Sequence, residues 1–339
     1  MDVDAVQDAW SQRRAETRGP TVLIAGPTDA GKSSLSRALL WHALQDRPED
    51  GVAFVDLDIG QGEISIPGTI GATVLTRASL PDEDDLLDFG HSHNYPLAFH
   101  GRKMQYFVGD ANLSAVPGAF KHYTSALATS LAQRHTADPE LNGAVINTCG
   151  WVDDLGYQLL LHAVRAFAVD ILVVLGSHSV YDQLLQDAPP STTLFNLPRA
   201  AGAVRRSGPT RRAARDQRLQ RYFAPQGEWT YVEVDAASIV FHRVRDKDPR
   251  GRGRAKLLLA KESILADRWL HQVVALVRPP PPTLARDDAT QYLLRAPAIG
   301  FVAIHAIDKQ AKTVTLVAPV GGPLPSKHLL AGSNVELLP

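Results

Sequence analysis

The fold of this chain is decided by Gly26-Pro27-Thr28-Asp29-Ala30-Gly31-Lys32-Ser33, which has the spacing G-x-x-x-x-G-K-[ST]. A short apolar run, Thr21 to Ala25, precedes this stretch, and a helical run begins directly after it at Ser34. A strand, a glycine-rich loop and a helix N-terminus in this order form a cradle for phosphate, because backbone N–H groups and the helix dipole both favour an anion there. The stretch therefore predicts a nucleoside triphosphate site.

The residues of this loop have separate expected roles. The ammonium group of Lys32 would reach the β- and γ-phosphates, and the hydroxyl of Ser33 would hold Mg²⁺. The glycines would let the backbone approach the phosphate oxygens. The residues expected to line the nucleotide are Gly26, Thr28, Asp29, Ala30, Gly31, Lys32, Ser33 and Ser34.

The composition limits the classes of protein to consider. The 339 residues carry a net charge of −1 at pH 7, so any nucleic-acid binding must come from a local patch rather than the whole surface. Cys149 is the only cysteine, which excludes an internal disulfide framework and a cysteine-based zinc site. We find no apolar run of about 18 residues and no apolar core of a secretory signal in the acidic N-terminus, so we expect no membrane partner.

Apolar strands and helices alternate along the first two thirds of the chain. This alternation predicts an α/β fold, with the mostly parallel sheet of a P-loop NTPase and helices on both faces. Beyond about residue 226 apolar and polar residues alternate with period two, which predicts a smaller, strand-rich C-terminal domain. We therefore divide the chain into a helical N-terminal extension (1–19), a P-loop domain (20–225) and a C-terminal domain (226–339).

The individual elements follow from the same patterns. The predicted strands of the P-loop domain cover residues 21–25, 52–58, 143–148, 170–175 and 193–197, and its predicted helices cover 118–135 and 155–168. Four glycines and a proline predict a loop over 59–72, and the acidic residues 81–95 are expected to form a solvated surface insertion. In the C-terminal domain we predict strands at 229–235 and 238–245, a helix at 263–277, and a hairpin formed by 299–307 and 313–317.

Two acids, Asp56 and Asp58, end the second predicted strand. Ligands of such sheets bind at the carboxyl ends of the strands, and in P-loop enzymes an acid at this place approaches Mg²⁺ or the attacking nucleophile. One of the pair should therefore be near the metal. The alternative is a strand-end acid that caps the next turn. Gln61 is a weaker candidate to position a nucleophile or to contact a phosphate.

Trp151 follows Thr148-Cys149-Gly150 in a loop at the same edge of the predicted sheet. A tryptophan in this position could stack on a nucleobase, an interaction worth roughly 1–3 kcal/mol per base. Core packing of the indole is at least as good an interpretation of the spacing.

Arginines are concentrated between Arg199 and Arg221, where Asp216 is the only acid. The arginines between these ends are Arg205, Arg206, Arg211, Arg212, Arg215 and Arg218. Arg211 and Arg215 stand one helical turn apart, and like charges at this spacing destabilise a helix unless an anion lies against them. The run therefore favours a lid that closes over phosphates and supplies arginines to the transferring phosphoryl group. A site for a phosphate backbone is compatible with this lid, and a solvated basic helix is the alternative.

Several motifs together resemble one known family. They are the phosphate loop, Asp58-Ile59-Gly60-Gln61-Gly62, Ser65-Ile66-Pro67-Gly68-Thr69, Asn147-Thr148-Cys149-Gly150-Trp151 and the stretch from Arg206 to Phe223. The combination resembles the polynucleotide 5′-hydroxyl kinases, and among them the subfamily of the kinase subunit of pre-mRNA cleavage factor II. The resemblance extends from about residue 20 to the end of the chain.

The resemblance implies a role for each matching residue. Lys32 and Ser33 match the phosphate-loop lysine and the Mg²⁺-binding hydroxyl, and Asp58 matches the acid that activates the RNA 5′-hydroxyl, with Gln61 beside it. Thr148 and Trp151 match a clasp that pins the terminal nucleotide. The lid arginines match Arg206, Arg211 and Arg215, of which Arg211 is the best candidate to neutralise the γ-phosphate. The metal ligands would be Ser33 and Asp58.

The resemblance implies an ATP- and Mg²⁺-dependent kinase that phosphorylates the 5′-hydroxyl end of RNA, in pre-mRNA 3′-end cleavage and in tRNA splicing. The implied partners are subunits of cleavage factor II and the tRNA splicing endonuclease, and the implied location is the nucleus. A second hypothesis is a catalytically silent, ATP-bound scaffold of the cleavage complex, since the family contains such members. A small-molecule kinase or generic NTPase is a third. Eukaryotic members carry a β-rich domain before the phosphate loop that helps to hold the adenine, whereas here the first predicted strand begins at Thr21.

Overall fold

The computed structural model describes residues 3–16, 19–47, 49–79, 103–246 and 257–337. The acidic segment 81–95, for which we predicted a surface insertion, lies outside the described residues. Within the described residues no helix combines the length and the apolar character needed to cross a membrane.

The first sheet has seven strands in the order β4-β3-β2-β5-β1-β6-β7. The pairs from β2 through β5, β1 and β6 to β7 are parallel, and β3 and β4 add an antiparallel edge. The strands are β1 (Thr21–Ala25), β2 (Gly51–Asp56), β3 (Thr69–Leu75), β4 (Met104–Phe107), β5 (Leu141–Asn147), β6 (Ile171–Leu175) and β7 (Thr193–Leu197). The predicted parallel sheet is confirmed, although β3 begins within the stretch 59–72 for which we predicted a loop.

Helices cover both faces of this sheet, which explains why its central strands are continuous apolar runs. The helices are α1 (Val3–Glu16), α2 (Lys32–Asp46), α3 (Pro117–Ala137), α4 (Asp154–Ala166), α5 (His178–Asp187) and α6 (Gly208–Phe223). Val22 and Ile24 face a core shared with α1 and α2, whereas Leu23 and Ala25 face a core shared with α3, α4 and α5. Alternate residues of β1 thus bury in opposite directions.

The N-terminal helix α1 packs at the amino edge of the sheet, away from the phosphate loop. Trp10 is buried and lies against Gly143 at the start of β5. The guanidinium of Arg14 is also buried, and it donates hydrogen bonds to the Ala43 carbonyl (2.7 Å) and the Asp50 carboxylate (2.6 Å). The helix therefore completes the core of the first sheet.

The second sheet also has seven strands, in the order β10-β9-β14-β11-β12-β13-β8. All pairs are antiparallel except β14 with β9. The elements are β8 (Thr230–Asp235), β9 (Val240–Asp246), β10 (Leu257–Lys261), β11 (Gln272–Val277), α7 (Arg286–Arg295), β12 (Ala298–Asp308), β13 (Thr313–Ala318) and β14 (His328–Glu336). The strand-rich C-terminal sheet and the hairpin of β12 and β13 are confirmed.

The helix predicted over residues 263–277 is wrong. This stretch contains a short 3₁₀ turn, Asp267–Trp269, and the buried strand β11. A continuous apolar run such as Val273 to Val277 suits a buried strand and a buried helix equally, so the pattern alone could not distinguish them. Helix α7 was not predicted.

The two sheets are joined by a close contact between two glycines and by hydrogen bonds to one carboxylate. Gly109 and Gly332 touch through their backbones, and a Cβ at Gly109 would lie 2.4 Å from Cα of Gly332. The carboxylate of Asp246, at the end of β9, accepts hydrogen bonds from the N–H groups of Gly118 (2.6 Å) and Ala119 (3.1 Å). An acid of the second sheet therefore caps the N-terminus of α3 beneath the first.

Candidate functional site

The phosphate loop connects β1 to α2 at the carboxyl edge of the first sheet. Gly26 (φ 140°) and Gly31 (φ 103°) adopt backbone conformations that favour glycine, and a Cβ at Gly26 would lie 2.3 Å from the Leu175 carbonyl oxygen. Helix α2 begins at Lys32, so its first N–H groups point into the loop. Ser33 is partly buried and Ser34 is exposed at this helix terminus.

Lys32 is folded back onto its own loop. Its Nζ donates to the carbonyl oxygens of Gly26 (2.8 Å) and Pro27 (2.9 Å). Burial lowers the pKa of Lys32, and the charges of Asp58 and Asp29 only partly oppose that shift. The cation is therefore held inside the loop by backbone oxygens, with acids nearby.

Asp56, the first acid after β2, is part of a buried network. Its Oδ1 accepts hydrogen bonds from the N–H of Asp58 (3.1 Å) and from Nδ2 of Asn147 (3.1 Å), and its Oδ2 accepts from the N–H of Glu63. Burial, together with the charges of Asp58 and Glu63, raises the pKa of Asp56 to about 7. Asp56 thus ties β2, β5 and the following loop together.

Asp58, the second acid, remains partly exposed. Its Oδ1 accepts hydrogen bonds from the N–H groups of Gly60 (2.9 Å) and Gln61 (3.1 Å), which fixes the orientation of the carboxylate. Burial raises the pKa of Asp58, while the Gln61 N–H and the charge of Lys32 oppose the shift. Of the two acids, Asp58 is therefore the one presented to the phosphate loop.

The loop after β5 rests directly on the phosphate loop. A Cβ at Gly150 would lie 2.5 Å from both N and Cα of Thr28, so only glycine fits there. Thr148 is buried, and its hydroxyl donates to the Ile24 carbonyl (2.7 Å). The structure therefore places Thr148 and the backbone of Gly150 beside the phosphate loop.

Trp151 is partly buried beside the core between α3 and α4. Its ring lies over Gly156, where a Cβ would be 2.6 Å from Cγ of the indole. One side of Trp151 is thus a packing surface. Stacking of the indole on a base stays a prediction.

The segment before α6 crosses the phosphate loop. Arg199 Nε donates to the Asp29 carbonyl (3.1 Å), and the Ala200 N–H donates to the Ala30 carbonyl (3.1 Å). The side chain of Asp29 then accepts from Nε of Arg206 (3.2 Å) and from Nη2 of Arg211 (2.7 Å). Two of the three predicted lid arginines therefore meet at one phosphate-loop carboxylate.

Helix α6 also contacts the loop after β2. Arg218 donates to the carbonyl of Gln61, and the Gln61 amide lies 3.5 Å from the carbonyl of Arg211. Burial lowers the pKa of Arg218, and the charges of Glu63, Asp56 and Asp58 oppose that shift. Gln61 thus connects the loop after β2 (residues 57–68), the acid loop, to α6, the lid helix.

Arg218 was not among the predicted site residues. It lies two turns after Arg211 on the face that also carries Arg215 and the buried Leu219, whereas Arg212 is exposed on the other side. The i, i+4, i+7 spacing of Arg211, Arg215 and Arg218 was the signal that could have identified it.

Comparison with models of known protein families shows to which family the chain is related. Residues 26–225 match the mRNA cleavage and polyadenylation factor CLP1 P-loop, and residues 217–335 match the pre-mRNA cleavage complex II protein Clp1. The chain belongs to the Clp1 family. Similar members are the polyribonucleotide 5′-hydroxyl-kinase Clp1 of Xenopus tropicalis (34% identity over 95% of this chain and 72% of the relative) and that of Danio rerio (32% over 94% and 72%).

Solved Clp1 structures have the same fold. A complex of wild-type Clp1p with Pcf11p superimposes with a TM-score of 0.79 and 20% identity, over 99% of this chain and 79% of that one. A second structure, which describes an extended Pcf11p–Clp1p interface and ATP loss in a point mutant, has a TM-score of 0.78 and 20% identity over 99% and 80%. At this identity the comparison establishes the architecture alone.

Proposed function

We propose that this chain transfers the γ-phosphate of ATP to the 5′-hydroxyl end of RNA. The observation that carries the proposal is the convergence of three segments at one edge of the first sheet. They are the phosphate loop with Lys32, the acid loop with Asp58, and the arginine lid formed by α6 and the residues before it. Relatives of 32–34% identity are named polyribonucleotide 5′-hydroxyl kinases, which supports this substrate class.

The phosphates would lie on the N-terminus of α2. The N–H groups from Gly31 to Ser34 would bind their oxygens, and Lys32 would exchange the Gly26 or Pro27 carbonyl for a phosphate oxygen. Because Lys32 is buried, its charge would act at low effective dielectric, where electrostatic stabilisation of the transferring group is strong.

The donors at this site fit Mg²⁺. Among the described residues no group of three or more His, Cys, Asp or Glu side chains could hold a metal. Mg²⁺ does not need such a group, since it is held through one or two protein oxygens together with phosphates and water. The Ser33 hydroxyl and the Asp58 carboxylate are such oxygens. Bound there, Mg²⁺ would neutralise charge on the phosphates.

Asp58 is proposed to orient the RNA 5′-hydroxyl and accept its proton. The Gly60 and Gln61 N–H groups bind Oδ1, so Oδ2 is the oxygen that would accept the proton. A carboxylate within hydrogen-bond reach of the hydroxyl can accept its proton as a general base. Gln61 would keep this loop in place through its contacts with the lid.

Thr148 and Trp151 are proposed to hold the terminal nucleotide, with the exposed side of the indole against a base. The docking of Gly150 on Thr28 supports this, because a triphosphate on the phosphate loop would then lie beside the loop after β5 (residues 148–153), the clasp loop.

The lid arginines Arg206, Arg211 and Arg215 are proposed to supply positive charge to the transferring group. Arg211 uses Nη2 for Asp29, while its buried Nε has no hydrogen-bond partner among the described residues. That free donor supports Arg211 as the residue that contacts a phosphate oxygen.

We further propose that the chain acts within a pre-mRNA cleavage complex. The solved Clp1p structures contain Pcf11p, which supports a partner of that kind for this fold. Participation in tRNA splicing with the endonuclease, and a nuclear location, rest on the family resemblance. Co-purification of a tagged chain and imaging of a fluorescent fusion would test these two points.

The direct test is transfer of labelled γ-phosphate to a 5′-hydroxyl RNA oligonucleotide, with a 5′-phosphorylated oligonucleotide as the control acceptor. We expect label only on the 5′-hydroxyl RNA, and loss of transfer in Lys32→Ala with the fold retained. Tight ATP binding without transfer by the wild-type chain would contradict the kinase and favour the ATP-bound scaffold. Equal labelling of a 5′-hydroxyl DNA would widen the substrate class.

A further inference from the structure

Asp29 puts a negative charge in the middle of the phosphate loop, where it would repel a bound triphosphate. Its carboxylate is attached to the loop between β1 and α2 that must receive a triphosphate, and neighbouring like charges repel strongly when they are shielded from water. The side chain is only 4% exposed, and the backbone of Asp29 is in the left-handed region (φ 59°). A buried charge of this sign requires compensation from its surroundings.

The compensation comes from two lid arginines. The Asp29 carboxylate accepts hydrogen bonds from the Arg206 N–H (2.9 Å), from Arg206 Nε (3.2 Å) and from Arg211 Nη2 (2.7 Å). Burial alone would raise the pKa of Asp29, but these bonds outweigh burial and hold the pKa below its ordinary value. The carboxylate is therefore ionised and paired at neutral pH.

The same contacts position the lid. Arg206 and Arg211 are 177 and 182 residues from Asp29 in sequence, and they lie on either side of the N-cap of α6 at Ser207. Arg199 is bound to the Asp29 carbonyl as well, so backbone and side chain of this one residue hold the whole segment from 199 to 211.

We propose that Asp29 is a positioning residue which anchors the arginine lid on the phosphate loop, and that Arg206 and Arg211 in return cancel its charge so that the loop accepts a triphosphate. This deepens the proposed kinase function and rests on it for the role of the lid. Loss of a lid arginine then weakens ATP binding through Asp29, because the carboxylate in the loop keeps only part of its compensation.

A double-mutant cycle tests the coupling. ATP affinity is measured by equilibrium binding without RNA for the wild type, Arg211→Ala, Asp29→Asn and the double variant. We expect Arg211→Ala to weaken ATP binding roughly tenfold or more, within the range of coupling between contacting charges. Asp29→Asn should restore the part of that loss that comes from the uncompensated charge of Asp29, and the remainder belongs to the contact proposed between Arg211 and a phosphate oxygen. Asp29→Asn alone should bind ATP at least as tightly as the wild type, yet transfer phosphate more slowly, because its lid is less well placed.

The control is Arg212→Ala, which removes the same charge from the same helical turn but from the exposed face. It should retain the affinity of the wild type. A double variant that binds ATP as weakly as Arg211→Ala would overturn the proposal, as would a loss of ATP binding in Asp29→Asn alone. If thermal unfolding shows that Arg211→Ala does not fold, the cycle is repeated with Arg206→Ala.

The readout separates this inference from the proposed function. The cycle is measured with ATP alone, so the absence of RNA phosphorylation would contradict the kinase and leave the rescue by Asp29→Asn intact. Conversely, a kinase whose ATP binding shows no rescue would retain its function and lose this role of Asp29.

Discussion

Arg218 of the lid helix donates a hydrogen bond to the backbone carbonyl of Gln61, three residues after the candidate base Asp58. The bond joins the lid to the acid loop at a point where Arg218 also faces the charges of Glu63 and Asp56. The lid is therefore attached to the site at two places, the phosphate loop and the acid loop.

The first prediction concerns that attachment. Arg218→Ala should lower kcat for RNA phosphorylation by roughly 10- to 100-fold, since a lost hydrogen bond from a charged donor is worth about 1.5–3 kcal/mol. ATP affinity should change less, because Arg218 touches the acid loop and not the phosphate loop. The control is Arg221→Ala, because the side chain of Arg221 is exposed on the same helix. Equal kinetic effects of the two variants would show that only the total charge of the helix matters.

The second prediction concerns Asp56, whose pKa is raised to about 7 in the folded protein. Between about pH 4 and pH 7 the folded state binds more protons at this group than the unfolded state, so rising pH lowers the free energy of unfolding. In Asp56→Asn this contribution is absent. The free energy of unfolding of the wild type should therefore fall relative to that of Asp56→Asn across that range. Above about pH 8 the two free energies should depend on pH in the same way.

The measurement is denaturant unfolding of both proteins at several pH values, with the exposed Asp216→Asn as control. Parallel curves for the wild type and Asp56→Asn between pH 4 and pH 7 would mean that Asp56 ionises normally.

The third prediction concerns the contact between the clasp loop and the phosphate loop. Gly150→Ala would place a Cβ 2.5 Å from the Thr28 backbone, and forced overpacking costs about 1–3 kcal/mol. We expect a lower melting temperature and weaker ATP binding. Gly202→Ala is the matched control, because no atom lies within 4 Å of its Cβ position. If Gly150→Ala behaves like Gly202→Ala, the two loops must be able to separate freely.

The fourth prediction distinguishes the two interpretations of Trp151. Trp151→Ala should raise KM for RNA by roughly tenfold or more, because stacking on one base contributes about 1–3 kcal/mol. ATP binding should change little. Trp151→Phe should retain most of the RNA affinity, since phenylalanine preserves an aromatic face. Equal losses of RNA and ATP binding, with lower thermal stability, would identify the indole as a packing residue against Gly156.

Part of the fold was predictable because its signals are local. The five parallel strands of the first sheet follow from apolar runs, and the phosphate loop follows from glycine spacing, whereas the antiparallel strands β3 and β4 and the helix α5 were not predicted. The run Val273 to Val277 shows the limit of such patterns. It became a strand through pairing with β12 and β14, which are distant in sequence.

The candidate site shows the same division. The sequence by itself determined that a triphosphate loop, an acid pair at a strand end, a tryptophan loop and an arginine run share one chain, because each is a short pattern with its own chemistry. Only the tertiary structure decided that Asp56 is buried while Asp58 is presented, that Gly150 rests on Thr28, and that Arg206 and Arg211 meet Asp29. These pairings bring together residues that lie far apart along the chain, so they depend on how the sheets and helices pack.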